Sequence, residues 1–173
     1  SRHIMFLERA QMNDAFGHAR RLGLALGYDQ GDFLLRAGVF NDTINADTNN
    51  DEWLFGARAV YAPKMGANQL HFGVNYQHRE YSNTALAFVD TNSFAAKSDD
   101  VFGVEAFGVF GPLHVGGEAQ FVKPKTYSPT DILPVAGVPG TTNRLLDDPS
   151  FKSYYAEVGY WLTGETRGYK KGE

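Results

Sequence analysis

Over long stretches of this chain every second residue is apolar and the residues between them are small or polar. A period of two of this kind becomes two chemically distinct faces only on a β-strand. In the clearest case Leu70, Phe72, Val74 and Tyr76 fall on one face, and His71, Gly73, Asn75 and Gln77 on the other. A segment so patterned must divide an apolar medium from a polar one. Similar segments recur along the chain, and the connections between them alternate short and long.

The pattern starts at Arg21, with Leu22, Leu24, Leu26 and Tyr28 opposing Gly23, Ala25 and Gly27, and turns tightly at Asp29-Gln30-Gly31-Asp32. Phe33, Leu35, Ala37 and Val39 then oppose Leu34, Arg36, Gly38 and Phe40. A polar loop, 41–52, precedes a third strand in which Phe55, Ala57, Ala59 and Tyr61 oppose Leu54, Gly56, Arg58 and Val60. Residues 62–68 form a short turn. The fourth strand, quoted above, runs to about Arg79 and opens into a long loop that reaches Asp100. Phe102, Val104, Ala106 and Phe110 follow on one face, Gly111-Pro112 turns the chain, and Leu113, Val115, Ala119 and Phe121 return. After the longest loop, 123–150, Tyr154, Ala156, Val158, Tyr160 and Leu162 oppose Ser153, Tyr155, Glu157, Gly159 and Trp161.

This reading predicts an all-β fold, an antiparallel transmembrane β-barrel segment of about seven strands over residues 21–173. Each strand is close to the roughly 9–11 residues that a tilted strand needs to cross the hydrocarbon layer. Bacterial barrels have short periplasmic turns and long outer loops, so the alternation of connection lengths also predicts an orientation. Residues 1–20 lack a clean period of two, and Ile4 to Ala15 fits a short helix or an irregular loop equally well.

Composition excludes several other classes. No stretch approaches the roughly 18 consecutive apolar residues of a spanning helix. Cysteine is absent, which rules out disulfides and thiolate metal sites. A net charge of −4 argues against a nucleic-acid partner held by bulk positive charge. The segment Ser1 to Phe6 lacks the apolar core of a signal peptide, so an export signal is expected to be removed or to lie outside these residues.

With the apolar row facing lipid, parity puts Arg36, Arg58 and Arg79 on the water-facing side of three neighbouring strands. An arginine on the lipid side would cost about 2–4 kcal/mol at the bilayer midplane, whereas on the wet side it presents a planar fork of donors for phosphate or carboxylate. A row of fixed cations selects solutes by sign, a property of use in a pore. The competing reading is that the arginines pair with Glu105, Glu118 or Glu157 across the interior. His71 and His114 share the wet side and are expected to be solvated lining, since no carboxylate spacing supports a metal site. Asp47, Asn49 and Asp51 imitate the start of a calcium loop, but Glu52 stands where glycine is required and Arg58 where the closing glutamate should be, so they read as a solvated acidic loop. No hydrolase elbow, phosphate-cradling Gly-Lys-Ser loop or zinc-protease helix occurs, and Ser82 near His78 is ordinary loop chemistry. Neither an enzyme nor a cofactor is expected.

Two stretches resemble the phosphate-selective porin family of Gram-negative outer membranes. Ser1-Arg2-His3-Ile4-Met5-Phe6-Leu7-Glu8-Arg9-Ala10, followed by Ala19-Arg20-Arg21-Leu22-Gly23, is similar to the family's Ser-Arg-x-Ile-x-Phe-Met-Glu-Arg segment and Gly-Arg-x-Leu-Gly strand start. The run from Tyr154 to Arg167, completed by Tyr169, resembles its Tyr-x-Leu-Thr-Gly-Glu-x-Arg-x-Tyr stretch. Leu7 replaces the usual Met, and Gly168 stands where Pro is common. The resemblance implies an anion porin for phosphate or polyphosphate, working by passive diffusion as a homotrimer among outer-membrane lipid and lipopolysaccharide. It also implies an internal segment of a sixteen-stranded barrel more than twice as long, without its leading and closing strands. Family channels are lined by lysine and arginine, so Arg9, Arg20 and Arg21 join Arg36, Arg58 and Arg79 as expected lining residues. Residues 1–20 are the candidate constriction loop, and Lys64 belongs at the periplasmic mouth. Two alternatives stay open: a general or otherwise specific porin of the same fold whose cations are neutralised by acidic neighbours, and a soluble β-barrel binding module.

Overall fold

The computed structural model of the chain describes residues 21–43, 53–86, 94–127, 147–169 and 171. These residues form eight strands: β1 (Arg21–Gln30), β2 (Phe33–Thr43), β3 (Trp53–Tyr61), β4 (Lys64–Met65), β5 (Asn68–Leu86), β6 (Phe94–Phe110), β7 (Leu113–Thr126) and β8 (Phe151–Tyr160). They make one antiparallel sheet in the order β1-β2-β3-β5-β6-β7-β8, with the two-residue β4 paired to the start of β5. The sheet is open, since β1 and β8 lie at its two edges. This is the wall expected from the sequence, each long strand being paired with the next long strand along the chain.

The tight connections share one end of the sheet. Gly31, Gly66 and Gly111 have φ of 56°, 64° and 59°, in the left-handed region that favours glycine. At Gly111-Pro112 the positive φ is followed by a residue whose ring holds φ negative, the combination that a type II′ hairpin turn requires. The connections at the other end, which include 44–52, 87–93 and 128–146, lie outside the described residues, as do 1–20.

The two faces differ as parity demands. Leu24 and Leu26 on the apolar face are 86% and 84% exposed, whereas Leu34 and Val60 on the opposite face are 1% and 2% exposed. Each large apolar side chain left in water forgoes about 1.5–3 kcal/mol, so this sheet needs an apolar medium against one side. Aromatic residues bracket the apolar face. Near the tight turns Phe33 stacks on Tyr61 with ring centroids 4.8 Å apart, and Phe110 and Tyr160 share that end. Toward the opposite end lie Phe55 and Tyr76 at 6.4 Å, and Phe102 and Phe121 at 6.4 Å. Between them run aliphatic rows through Leu35, Ala59, Val74, Val104 and Ala119, in register across β2, β3, β5, β6 and β7. Two aromatic girdles around an aliphatic band match the lipid-facing surface of a membrane barrel.

The polar face packs by fitting large side chains against small ones. In β1 it carries Gly23 and Gly27, which stand opposite Phe40 and Arg36 of β2. Gly73 of β5 stands opposite Glu105 of β6, and a Cβ at Gly73 would collide with the Glu105 carboxylate.

Three strands outrun their sequence signal. β5 continues to Leu86 and β6 begins at Phe94, well inside the stretch expected as a long loop, with an irregular register between Glu80 and Thr84. Polar residues such as Arg79, Glu80, Asp99 and Asp100 erase the hydrophobic alternation there, but the backbone ladder does not require it. β7 likewise runs to Thr126 through Pro124. Its pairing with β8 stops at Val122, so Pro124 has an edge on which a missing N–H costs no ladder bond.

Replacing Val74 with Arg is expected to cost about 2–4 kcal/mol of folding free energy in lipid vesicles, whereas Gln77→Arg on the other face should be close to neutral. Urea titration of the full-length protein folded into vesicles measures both; equal costs would mean the faces are assigned wrongly. Gly73→Ala should destabilise by about 1–3 kcal/mol in the same assay, because the Glu105 carboxylate must leave its seat.

Candidate functional site on the polar face

Arg36, Arg58 and Arg79 all project from the polar face, but their surroundings differ. Arg36 is directly opposite Arg58 in the β2–β3 register, and the row continues through Asn75, Gly103, Gln120 and Ser153. Like charges directly opposite repel unless something neutralises them. Arg58 has a neutraliser, since its Nη2 donates to Oε1 of Glu105. Glu105 reaches it diagonally through the space that Gly73 leaves open. Arg36 is exposed and makes no ion pair among the described residues. Arg79 is the most enclosed of the three: its side chain is 14% exposed and donates at 2.9 Å to Asp99, whose side chain is 2% exposed. That guanidinium is committed to a structural pair.

Glu105 also receives His71, whose Nε2 lies 2.9 Å from the same carboxylate oxygen. A carboxylate only accepts, so in a neutral His71 the proton sits on Nε2, and Nδ1 is left to accept from Tyr169, whose hydroxyl is 2.7 Å away. Burial first, and the Glu105 carboxylate second, push the Tyr169 hydroxyl up to about 12, and like any tyrosine it is a donor at neutral pH. The result is a continuous chain from Tyr169 through His71 and Glu105 to Arg58. His71 and His114 are therefore not the solvated lining expected from the sequence. They are 4% and 3% exposed, because the face carries enough side chains to cover them.

The competing carboxylates are distributed among different partners. Glu118 stands opposite Glu105 and accepts from the Tyr155 hydroxyl at 2.9 Å. Glu157 accepts from Arg167 at 3.0 Å. Arg167, like Tyr169, belongs to the segment after β8, which turns back across the polar face. The Trp161 N–H donates to the Pro112 carbonyl at 3.0 Å, and Gly164 turns the chain with φ 79°. Tyr169 packs against Leu34, Val60 and Ala62, and Lys171 Nζ ends on Asp29 and on the carbonyls of Gly31 and Phe33, at 2.6 and 3.0 Å for the carbonyls. The segment thus crosses from the β8 edge to the β1–β2 turn. Arg167 and Tyr169 belong to the matched motif, which by itself gives them no place in the fold; the Thr163-Gly164 pair just after a strand is the sign of a reversal that the sequence offers.

Arg9 and Arg20 lie outside the described residues, and for Arg21 only the backbone, in β1, is described. The calcium-like residues Asp47, Asn49 and Asp51 lie outside them too.

Comparison with known proteins places this sheet in a family. The family model described as phosphate-selective porin O and P matches residues 1–173. An uncharacterized protein of Caulobacter vibrioides is 35% identical, over 97% of this chain and 36% of its own length. Porin O of Pseudomonas aeruginosa is 26% identical, over 79% of this chain and 35% of its own length. The chain spans about a third of the length of these curated relatives. No solved structure matches it. The two-faced antiparallel wall and the full-length family match agree, and the chain belongs to the family of phosphate-selective porins O and P.

Proposed function

We propose that this chain is part of the wall of an outer-membrane porin that passes anions such as phosphate or polyphosphate by passive diffusion. The observation that carries the reading is the Arg36–Arg58 pair, two guanidiniums in direct register on the polar face, of which Arg58 is ion-paired with Glu105 and Arg36 is exposed. Arg36 is exposed and, among the described residues, not ion-paired, and its planar fork of N–H groups matches a phosphate oxygen pair. Arg79 contributes a buried ion pair, so its effect on solutes is indirect. Arg9, Arg20 and Arg21 remain lining candidates on the strength of the matched motif, and residues 1–20 the candidate constriction. The tight turns then face the periplasm, together with Lys64, and the longer connections face outward. Lipid and lipopolysaccharide meet the apolar face, and the complete protein assembles as a trimer. Neither a cofactor nor an enzymatic step is part of this reading.

A second reading, a general porin of weak selectivity, is favoured by the pairing of Arg58 with Glu105, Arg79 with Asp99 and Arg167 with Glu157. Paired charges present little net field to a solute.

Reversal potentials of the full-length protein in planar bilayers under a potassium chloride or phosphate gradient separate the two. Anion preference is expected, and Arg36→Ala should lower the anion-to-cation permeability ratio; a cation-selective wild type would sink the anion reading. Glu105→Gln should act in the opposite sense, raising anion preference because Arg58 loses its neutralising charge. An unchanged ratio in that variant would mean that Arg58 does not face the conducting path.

A further inference from the structure

On the apolar face, above the aromatic row near the longer connections, the surface changes from greasy to basic. Lys123 lies two residues beyond Phe121 on the same face of β7, Lys125 two residues further, and Lys152 of β8 stands directly opposite Phe121. All three are exposed. Lys123 has Lys125 as its same-face neighbour and Lys152 as its diagonal neighbour, each with Cβ about 7–8 Å away, so the long flexible side chains of the outer two can reach an anionic headgroup seated over Lys123. The nearest acid in register is Asp100, opposite Lys123, and it already accepts from the Tyr76 hydroxyl and from His78. Among the described residues none of the three lysines forms an ion pair within 4 Å, and only Lys123 is close enough to a carboxylate, that of Asp100, to feel its charge. Three like charges gathered on an exposed surface repel one another, and an anion relieves that repulsion.

We propose that Lys123, Lys125 and Lys152 form a binding site for the headgroup phosphate of a lipid, with the acyl chains lying along Phe102, Phe121 and Tyr154 and the aliphatic rows below. The proposal rests on the reading of the apolar face as lipid-facing. The choice of a lipid over free phosphate follows from continuity: the lysines border the apolar band and point to the side away from Arg36 and Arg58. A basic cluster at the boundary of an apolar surface is the arrangement that holds anionic lipid headgroups, each lysine being worth about fivefold in affinity.

The test uses the full-length protein in detergent and a bis-phosphorylated lipid A as probe, with native mass spectrometry reading the bound lipid. Wild type should retain the lipid, and the dephosphorylated glycolipid and phosphatidylcholine should bind weakly. K123Q/K125Q/K152Q should lower affinity on the order of 100-fold, and K123R/K125R/K152R should restore it, which separates lost charge from a folding defect. Millimolar inorganic phosphate should not displace the lipid; displacement would mean a free-anion site and overturn the proposal. Undiminished lipid retention in the glutamine variant would overturn it as well. So would dissociation of an oligomer without loss of lipid, which would assign the lysines to a contact between protein subunits. Bilayer reversal potentials of the same preparations keep the two readings apart. The glutamine variant should conduct with wild-type selectivity, and a wild type without anion preference would end the anion reading while leaving the lipid site standing.

Discussion

Every feature of the polar face depends on the register between neighbouring strands. Side chains alternate across a strand with a period of two, so a slip of one residue would carry Arg58, His71 and Glu105 to the apolar surface and bring Leu70, Val74 and Val104 inward. At the bilayer midplane a displaced arginine alone costs about 2–4 kcal/mol, and a slip displaces several charges together. The register is therefore enforced from both sides at once. Lipid rejects the charges, and the crowded polar face has room for Glu105 only where Gly73 lacks a side chain.

The same crowding decides what the charges can do. A wide aqueous interior would leave each arginine free to meet a solute, but here Arg79 and Asp99 are nearly enclosed and Glu105 is shared between Arg58 and His71. Removing a single member of an enclosed pair leaves an uncompensated charge, a loss that commonly reaches about 3–5 kcal/mol. Arginines on this face thus divide into those that hold the wall together and those that remain open to solution. Arg79 belongs to the first group and Arg36 to the second, and no property of the residue type distinguishes them. The difference comes from the neighbouring strand: Arg79 meets Asp99 in register, whereas Arg36 meets another arginine.

That contrast shows how far the sequence could be read. Alternation located the strands, assigned each residue to a face and put Arg36, Arg58 and Arg79 on the same side, because parity is a local property of two or three neighbouring residues. Glycine and proline marked the tight turns at Gly31, Gly66 and Gly111 for an equally local reason. The outer reach of β5 and β6 was hidden, since polar residues from Arg79 onward carry no alternation although their backbones still pair. Ion-pair partners were legible only in part, the pairing of Arg58 with Glu105 being one that the competing reading had left open. They depend on which residues of separate strands come into register, and the three carboxylates considered for the arginines, Glu105, Glu118 and Glu157, proved to have one arginine partner, a tyrosine and a different arginine. The enclosure of His71 needed the segment after β8 to return over it, an event almost one hundred residues away in the chain.

That returning segment answers a mechanical problem peculiar to a wall of this kind. A soluble sheet is held in shape by the apolar core it packs against, but here the apolar face meets a fluid and the polar face meets water, so neither medium fixes the curvature. The paired, twisted strands set it, and contacts made on the polar face add to that restraint. The segment from Trp161 to Lys171 is tied to Pro112, Glu157, His71 and the β1–β2 turn, which are distributed from one edge of the sheet to the other. The tie links residues near both edges of the sheet, which no contact between two neighbouring strands does. It also makes the orientation of Arg58 answerable to a distant residue: Tyr169 orients His71, His71 and Arg58 share one oxygen of Glu105, and a shift of the tie is felt at the guanidinium. The segment that ties the sheet together and the placement of a candidate solute-facing charge are thus joined by one hydrogen-bonded chain.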